Sequence, residues 1–270
     1  MGRTLKNLLG LSFVLLLAIL ASTSTYFSVK QKTEIPSLQE ITDFQNNSNI
    51  LLINKQTKVL HKSRASAVQV FSANIHQHLA MQSGTYVIAF ERYFVLTTNH
   101  GIIGDCLLTK IYVDDKFRNC IRFIELNQES DYAIIEVEKI PSRKPVKIPQ
   151  DLPTGRKQWT KALGVMNRVF YTGYPNSVGP LTIEGKVAGY HPDDQLYIIS
   201  YAWSGSSGSG VFSQDGKYIG YVLAIDVGEN NLGGAAILEN VVLVIPAFKI
   251  NWAAVLDVPQ EVPEADDTAN

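Results

Sequence analysis

The sequence predicts an all-β protein, a sandwich or a barrel, on three observations. From about Ala65 the chain breaks into short runs rich in β-branched and aromatic residues. Turn-forming residues separate the runs at close spacing, which is the pattern of antiparallel sheets. Helical periodicity is nearly absent, appearing only late, over Ala247 to Leu256. Taken in order, the predicted strands are Ala67 to Phe71, Thr85 to Phe90, Tyr93 to Thr97, Leu108 to Val113, Arg122 to Leu126 and Tyr132 to Val137. The second half continues with Val169 to Thr172, Thr182 to Val187, Leu196 to Tyr201, Gly210 to Phe212, Tyr218 to Ile225 and Val241 to Val244. Pro246 stands where a helix starts well, because its fixed φ suits the first helical position.

The ends of the chain read differently. Arg3 and Lys6 precede an uncharged, almost wholly apolar stretch from Leu8 to Ala21, followed by small polar residues to Tyr26. That is the shape of an export signal. The apolar core alone is short of the ~20 residues that span a bilayer, and continuing to Val29 makes it long enough. Residues 1–29 therefore read as a signal peptide or a signal anchor, forming an N-terminal hydrophobic helix. The reading leans towards an uncleaved tether through residues 8–29, with the bulk of the protein outside the cytoplasm, or secreted if the segment is cut. Residues 30–62 read as a polar spacer, with a short strand at Ile50 to Ile53, and 63–258 as the folded domain. Residues 259–270 form an acidic tail with too little apolar surface to fold.

Composition excludes several roles. Lys and Arg number 24 against 25 Asp and Glu, so nothing in the charge favours nucleic acid. His76 and His78 are two ligands without a third, so no metal site is expected. Cys106 and Cys120 are the only cysteines, and an even count in an exported chain suggests a disulfide between neighbouring strands, with two free buried thiols as the other possibility.

The chemistry gathers in three places. Gly205-Ser206-Ser207-Gly208-Ser209-Gly210 is a tight loop running into an apolar strand. Such a loop holds a hydroxyl at its tip with backbone N–H groups beside it, as acyl transfer requires. Upstream stand Thr97-Thr98-Asn99-His100 and Ser130-Asp131-Tyr132-Ala133. A serine hydroxyl needs a base within reach, and the base needs an orienting acid. His100, Asp131 and Ser207 fit those roles, with the N–H groups of Gly205 and Ser207 as an oxyanion hole. Each residue alone reads more simply as a turn or cap. Together, each beside a strand and in the order His, Asp, Ser, they point to catalysis. The Gly-x-Ser-Gly frame selects Ser207 over Ser206 and Ser209. The α/β-hydrolase elbow fits poorly, because its second Gly is missing, the chain order is reversed, and strands do not alternate with helices.

These segments resemble the trypsin-like (chymotrypsin-fold) serine proteases, most closely the Deg/Htr and V8-like branch. The likeness runs from about Ala65 to Leu256. It rests on Arg64 to Val70, on Gly84 with Tyr86 to Ile88, and on the histidine and aspartate motifs. It continues through Gly173-Tyr174-Pro175, Thr182 to Val187, the serine loop, Ile219 to Val222 and Val244 to Pro246. The resemblance implies two antiparallel six-stranded β-barrels with a C-terminal helix, the first over about 65–140 and the second over about 155–246. It implies a serine endopeptidase that needs no cofactor and takes a polypeptide against a strand edge, here Leu223-Ala224-Ile225. Tyr201 falls at the base of the primary pocket and Ile225 on its wall. Neither is charged, so the expected cut follows a small or medium apolar residue rather than Lys or Arg. No PDZ-like segment follows Leu256. A catalytically silent peptide- or protein-binding module on the same fold is the alternative, and an esterase a third reading.

Overall fold

The computed structural model describes Gln39, residues 57–229 and residues 235–256. The side chains of Thr57, 224–229, 235–239 and Leu256 are not among those described. The N-terminal hydrophobic helix, the strand expected at Ile50 to Ile53 and the acidic tail all fall outside the described residues. None of the described helices is long and apolar enough to cross a membrane.

Among the described residues thirteen strands occur, and twelve of them form two barrels of six. The first barrel contains β1 (Ala67–Ala73), β2 (Leu79–Ala89), β3 (Arg92–Thr98), β4 (Thr109–Val113), β5 (Lys116–Asn127) and β6 (Tyr132–Val137). They pair antiparallel in the order β1-β4-β5-β6-β3-β2, and β1–β2 pairing closes the ring. A short β7 (Val146–Lys147) adds to β2 in parallel. The second barrel closes as β10-β13-β12-β11-β8-β9, from β8 (Arg168–Gly173), β9 (Leu181–Tyr190), β10 (Leu196–Ile199), β11 (Gly210–Ser213), β12 (Tyr218–Glu229) and β13 (Ala235–Pro246). Two hairpins of the first barrel turn on two residues each, Phe90-Glu91 and Asp114-Asp115, all four with positive φ. That backbone matches the right-handed twist of the flanking strands.

Alternation along each strand divides the core in three. One face fills the first barrel with residues such as Val70, Tyr86, Val95 and Ile135. In the second barrel Val169, Tyr171, Ile198, Val211 and Val244 do the same. The opposite faces of the same strands meet in a third cluster, which includes Phe94, Leu96 and Ile134 from the first barrel and Phe170, Phe212 and Tyr221 from the second. Because successive side chains point to opposite faces, β6 is buried at every position, one face in its barrel and the other in this junction.

Three local readings are corrected. The expected spacer ends earlier, because Thr57–Ser66 is a helix, α1. Val59 is buried in the third cluster, and Ser63 Oγ and Thr172 Oγ1 are hydrogen-bonded at 2.7 Å, which fastens α1 to the second barrel. A second helix, α2 (Gly155–Ala162), opens the span expected for the second barrel, ahead of β8 and where no helix was expected. It is short and mostly polar, and its Trp159 meets Phe248 edge-on at 5.2 Å. The C-terminal helix shrinks to α3 (Ala253–Leu256), preceded by a 3₁₀ turn at Ala247–Lys249. An extended Ile250 carries its side chain into the core, and Trp252 Nε1 donates to the Ala247 carbonyl at 2.9 Å. A continuous helix would forfeit both.

Candidate active site

Strand register brings the histidine and the aspartate together. In the β3–β6 pair Thr98 lies opposite Tyr132. His100 follows the end of β3 and Asp131 precedes β6, so both emerge at the same end of the first barrel. Asp131 sits in the left-handed region, with φ 49°. Its two carboxylate oxygens take different partners. Oδ1 accepts the backbone N–H of His100 at 2.7 Å, and Oδ2 lies 2.5 Å from His100 Nδ1. The Asn99 N–H donates to the Asp131 carbonyl at 3.1 Å. The imidazole remains 51% exposed, while the carboxylate is 24% exposed. Its Nε2 lies 3.5 Å from Thr98 Oγ1.

The serine loop belongs to the second barrel but is tied to the first. The Ser83 N–H donates to the Ser207 carbonyl at 2.9 Å, and Ser83 Oγ donates to the Gly205 carbonyl at 2.6 Å. Ser83 is anchored beside the end of β3, since Thr97 Oγ1 donates to its carbonyl at 2.6 Å. The loop therefore lies against the strand end that carries His100. Gly205 and Gly208 have φ of 88° and 85°. A Cβ on Gly208 would stand 2.5 Å from Thr97 Oγ1, so both conformation and space demand glycine there. Ser207 is half-buried. Its hydroxyl makes no hydrogen bond among the described residues, to His100 or to any other group. The N–H groups of Gly205 and Ser207 likewise have no acceptor among the described residues, whereas those of Ser206 and Gly208 donate to Trp203 and Val222.

The structure places Tyr201 at the surface rather than on an enclosed pocket floor. It is 57% exposed and stacks on Trp203, ring centroids 6.1 Å apart and planes 11° apart. Its carbonyl accepts the Tyr171 hydroxyl, which holds the backbone inward and turns the ring out. Leu223 is half-buried against the junction core. Ala224 and Ile225 pair through their backbones with Leu243 and Val242 of β13, and their side chains lie outside the described residues. On its other side β12 pairs with β11 only as far as Tyr221. Leu223 to Ile225 thus run past the end of β11. Cys106, in the turn before β4, is bonded to Cys120 of β5, with Cα atoms 5.3 Å apart. No group of three or more potential metal ligands occurs among the described residues.

Ser83 and Asn176, whose N–H donates to the Ser204 carbonyl at 2.6 Å, are residues beside the serine loop that sequence reasoning missed. Both act through backbone or hydroxyl contacts across the fold, for which no local pattern exists.

A family model, the trypsin-like peptidase domain, matches residues 82–220, just over half of the chain. The chain belongs to that family. Its fold is similar to that of a serine endoprotease from Yersinia pestis, with a TM-score of 0.58 and 16% identity, over 75% of this chain and 67% of that one. It is also similar to the Rv3671c protease from M. tuberculosis in its active form, with a TM-score of 0.57 and 18% identity, over 76% and 86% of the two chains. A third similar structure is the HtrA-type protease AlgW with tripeptide, with a TM-score of 0.54 and 15% identity, over 72% of this chain and 60% of that one. No curated protein sequence matches.

Proposed function

We propose that this protein is a serine endopeptidase acting through Ser207, His100 and Asp131. The observation that carries the reading is the His100–Asp131 pair, with Nδ1 2.5 Å from one carboxylate oxygen and the histidine N–H on the other. A carboxylate bonded twice in this way holds the ring in the tautomer with its proton on Nδ1, leaving the Nε2 lone pair to act as base. Ser207 gives its proton to Nε2 as its oxygen attacks the scissile carbonyl. The carbonyl oxygen becomes negative and is met by the N–H groups of Gly205 and Ser207, both without protein acceptors. Collapse passes the proton from Nε2 to the leaving amine, and water repeats the sequence on the acyl-enzyme. The acid stays ionised throughout and stabilises the imidazolium.

The substrate is a polypeptide lying extended along the edge at Leu223 to Ile225, where main-chain bonds give affinity and side-chain pockets give choice. The domain works outside the cytoplasm, tethered through residues 8–29. Serine acyl transfer on this arrangement draws on the chain's own residues and calls for no cofactor.

The unmade Ser207–His100 hydrogen bond favours the alternative, a silent binding module. Catalytic bonds of this kind often tighten only when substrate is bound. Ser207→Ala separates the two readings. A protease loses turnover of fluorescent casein while keeping its fold, and unchanged turnover in the variant contradicts the assignment.

A further inference from the structure

The loop from Gly205 to Gly208 is satisfied in an uneven way. The carbonyls of Ser204, Gly205, Ser206 and Ser207 all accept hydrogen bonds, from Asn176 N at 2.6 Å, Ser83 Oγ at 2.6 Å, Ser209 N at 3.1 Å and Ser83 N at 2.9 Å. The two N–H groups left over in this stretch are those of Gly205 and Ser207. A trans peptide is planar, with its C=O and N–H pointing in opposite directions. Fixing the Ser204 carbonyl therefore aims the Gly205 N–H, and fixing the Ser206 carbonyl aims that of Ser207.

We infer that Ser83 and Asn176 are positioning residues for the two oxyanion donors: Asn176, of the second barrel, holds the Ser204 carbonyl and so aims the Gly205 N–H, while Ser83, of the first barrel, holds the Gly205 and Ser207 carbonyls and so clamps the peptides on either side of the one that carries the Ser207 N–H. Ser83 is fully buried on β2, where its hydroxyl also accepts the Tyr174 N–H at 2.8 Å. It thereby ties the segment Tyr174 to Asn176 to the serine loop. A Cβ on Gly205 would stand 2.8 Å from the Tyr174 carbonyl, so the two segments are in close contact. Asn176 has an exposed side chain, and its contribution is the backbone N–H. That group reaches Ser204 because Asn176 is left-handed, with φ 49° and ψ 32°, a conformation asparagine tolerates and β-branched residues do not. The inference rests on the proposed function, since it gives these residues work only if the free N–H groups meet an oxyanion.

The test is the second-order rate of labelling of the full chain by a fluorophosphonate, read together with the fraction labelled at completion. Attack of the Ser207 oxygen on phosphorus expels fluoride, and the phosphoryl oxygen, which gains negative charge in the transition state, sits in the same hole, so the rate reports the donors without a known substrate. Ser83→Ala is expected to label completely but about 10- to 100-fold more slowly, since losing an oxyanion donor outright costs about 10²- to 10³-fold. The pH midpoint of labelling stays where it is, because the His100–Asp131 pair is untouched. Asn176→Val is expected to slow labelling similarly, and Asn176→Gly, which keeps the N–H and readily adopts positive φ, to restore the rate. A purely structural role would lower the fraction labelled and leave the rate unchanged, which overturns the inference. If Ser83→Ala does not fold, the Asn176 pair decides alone, and equal rates for the Val and Gly variants overturn it. If the parent chain is labelled and turns over casein while the variants match it, only this inference fails. If the folded parent is never labelled, the proposed function fails with it.

Discussion

The two barrels prepare their shares of the site in opposite ways. The first barrel assembles the base and acid from within. Two of its own strands, paired in register, bring His100 and Asp131 to one end, and three hydrogen bonds between adjoining turns lock them. The second barrel presents Ser207 on a loop whose restraints reach outward. Ser83 of the first barrel holds two of the loop's carbonyls, and the Tyr221 hydroxyl donates to the Ser130 carbonyl next to Asp131 at 2.5 Å. The base and acid are thus joined within one barrel, with the Tyr221 hydroxyl bracing the acid's turn from the other, whereas the nucleophile's loop is held chiefly by how the two barrels meet. A change at the junction is expected to disturb the serine first.

Breaking the comparison at the nucleophile gives the largest effect. Ser207→Ala should lower kcat by about 10⁶-fold, with the circular dichroism and Tm of the parent retained. Next comes the acid. Asp131→Asn removes the charge and favours the wrong ring tautomer, and should cost about 10⁴-fold in kcat with little change in KM. A junction change tests the asymmetry itself. Phe212→Ala empties a buried site between the barrels and should destabilise the fold by about 3–5 kcal/mol in urea unfolding. In the folded fraction it should slow Ser207 labelling while leaving its pH midpoint alone. Reducing the Cys106–Cys120 bond is the counterpart within the first barrel. Opening a loop of 14 residues should cost about 3 kcal/mol, with no change in the labelling rate of the protein that remains folded.

Both barrels should fail together in alkali. Burial pushes the hydroxyls of Tyr86, Tyr132 and Tyr171 up to about 12, and those of Tyr218 and Tyr221 higher still. Tyr86 belongs to the first barrel core, Tyr171 to the second, and the other three to the junction. Unfolded tyrosine ionises near 10, so the unfolded chain sheds protons first. The stability these groups contribute is complete below about pH 10 and is lost as the pH climbs through 12. A Tm series across that window should fall steeply, and a flat series would show that the hydroxyls ionise without unfolding.

The strands were legible because each carries a dense β-branched and aromatic run bounded by turn residues. The His, Asp and Ser motifs were legible because each sits at a strand end with a local signature. What the sequence hid depends on distant partners. α1 has few apolar residues, and its burial becomes visible only once Val59 and Ser63 have the second barrel to lie on. α2 is polar for most of its length. Ile250 broke the expected C-terminal helix because the core, and not the local periodicity, chose its backbone. Tyr201 was placed at the base of the pocket by resemblance alone, and a matching position along the chain does not say which way a ring turns. Ser83 lies 124 residues before Ser207, and only the folded chain puts its N–H on the Ser207 carbonyl.

The most direct measurement is mass spectrometry of the folded chain after fluorophosphonate treatment, repeated across pH and on a His100→Ala variant. The account predicts a single adduct on Ser207, forming faster at higher pH and nearly abolished without His100. An adduct on another serine, or a folded chain that takes up none, would contradict it.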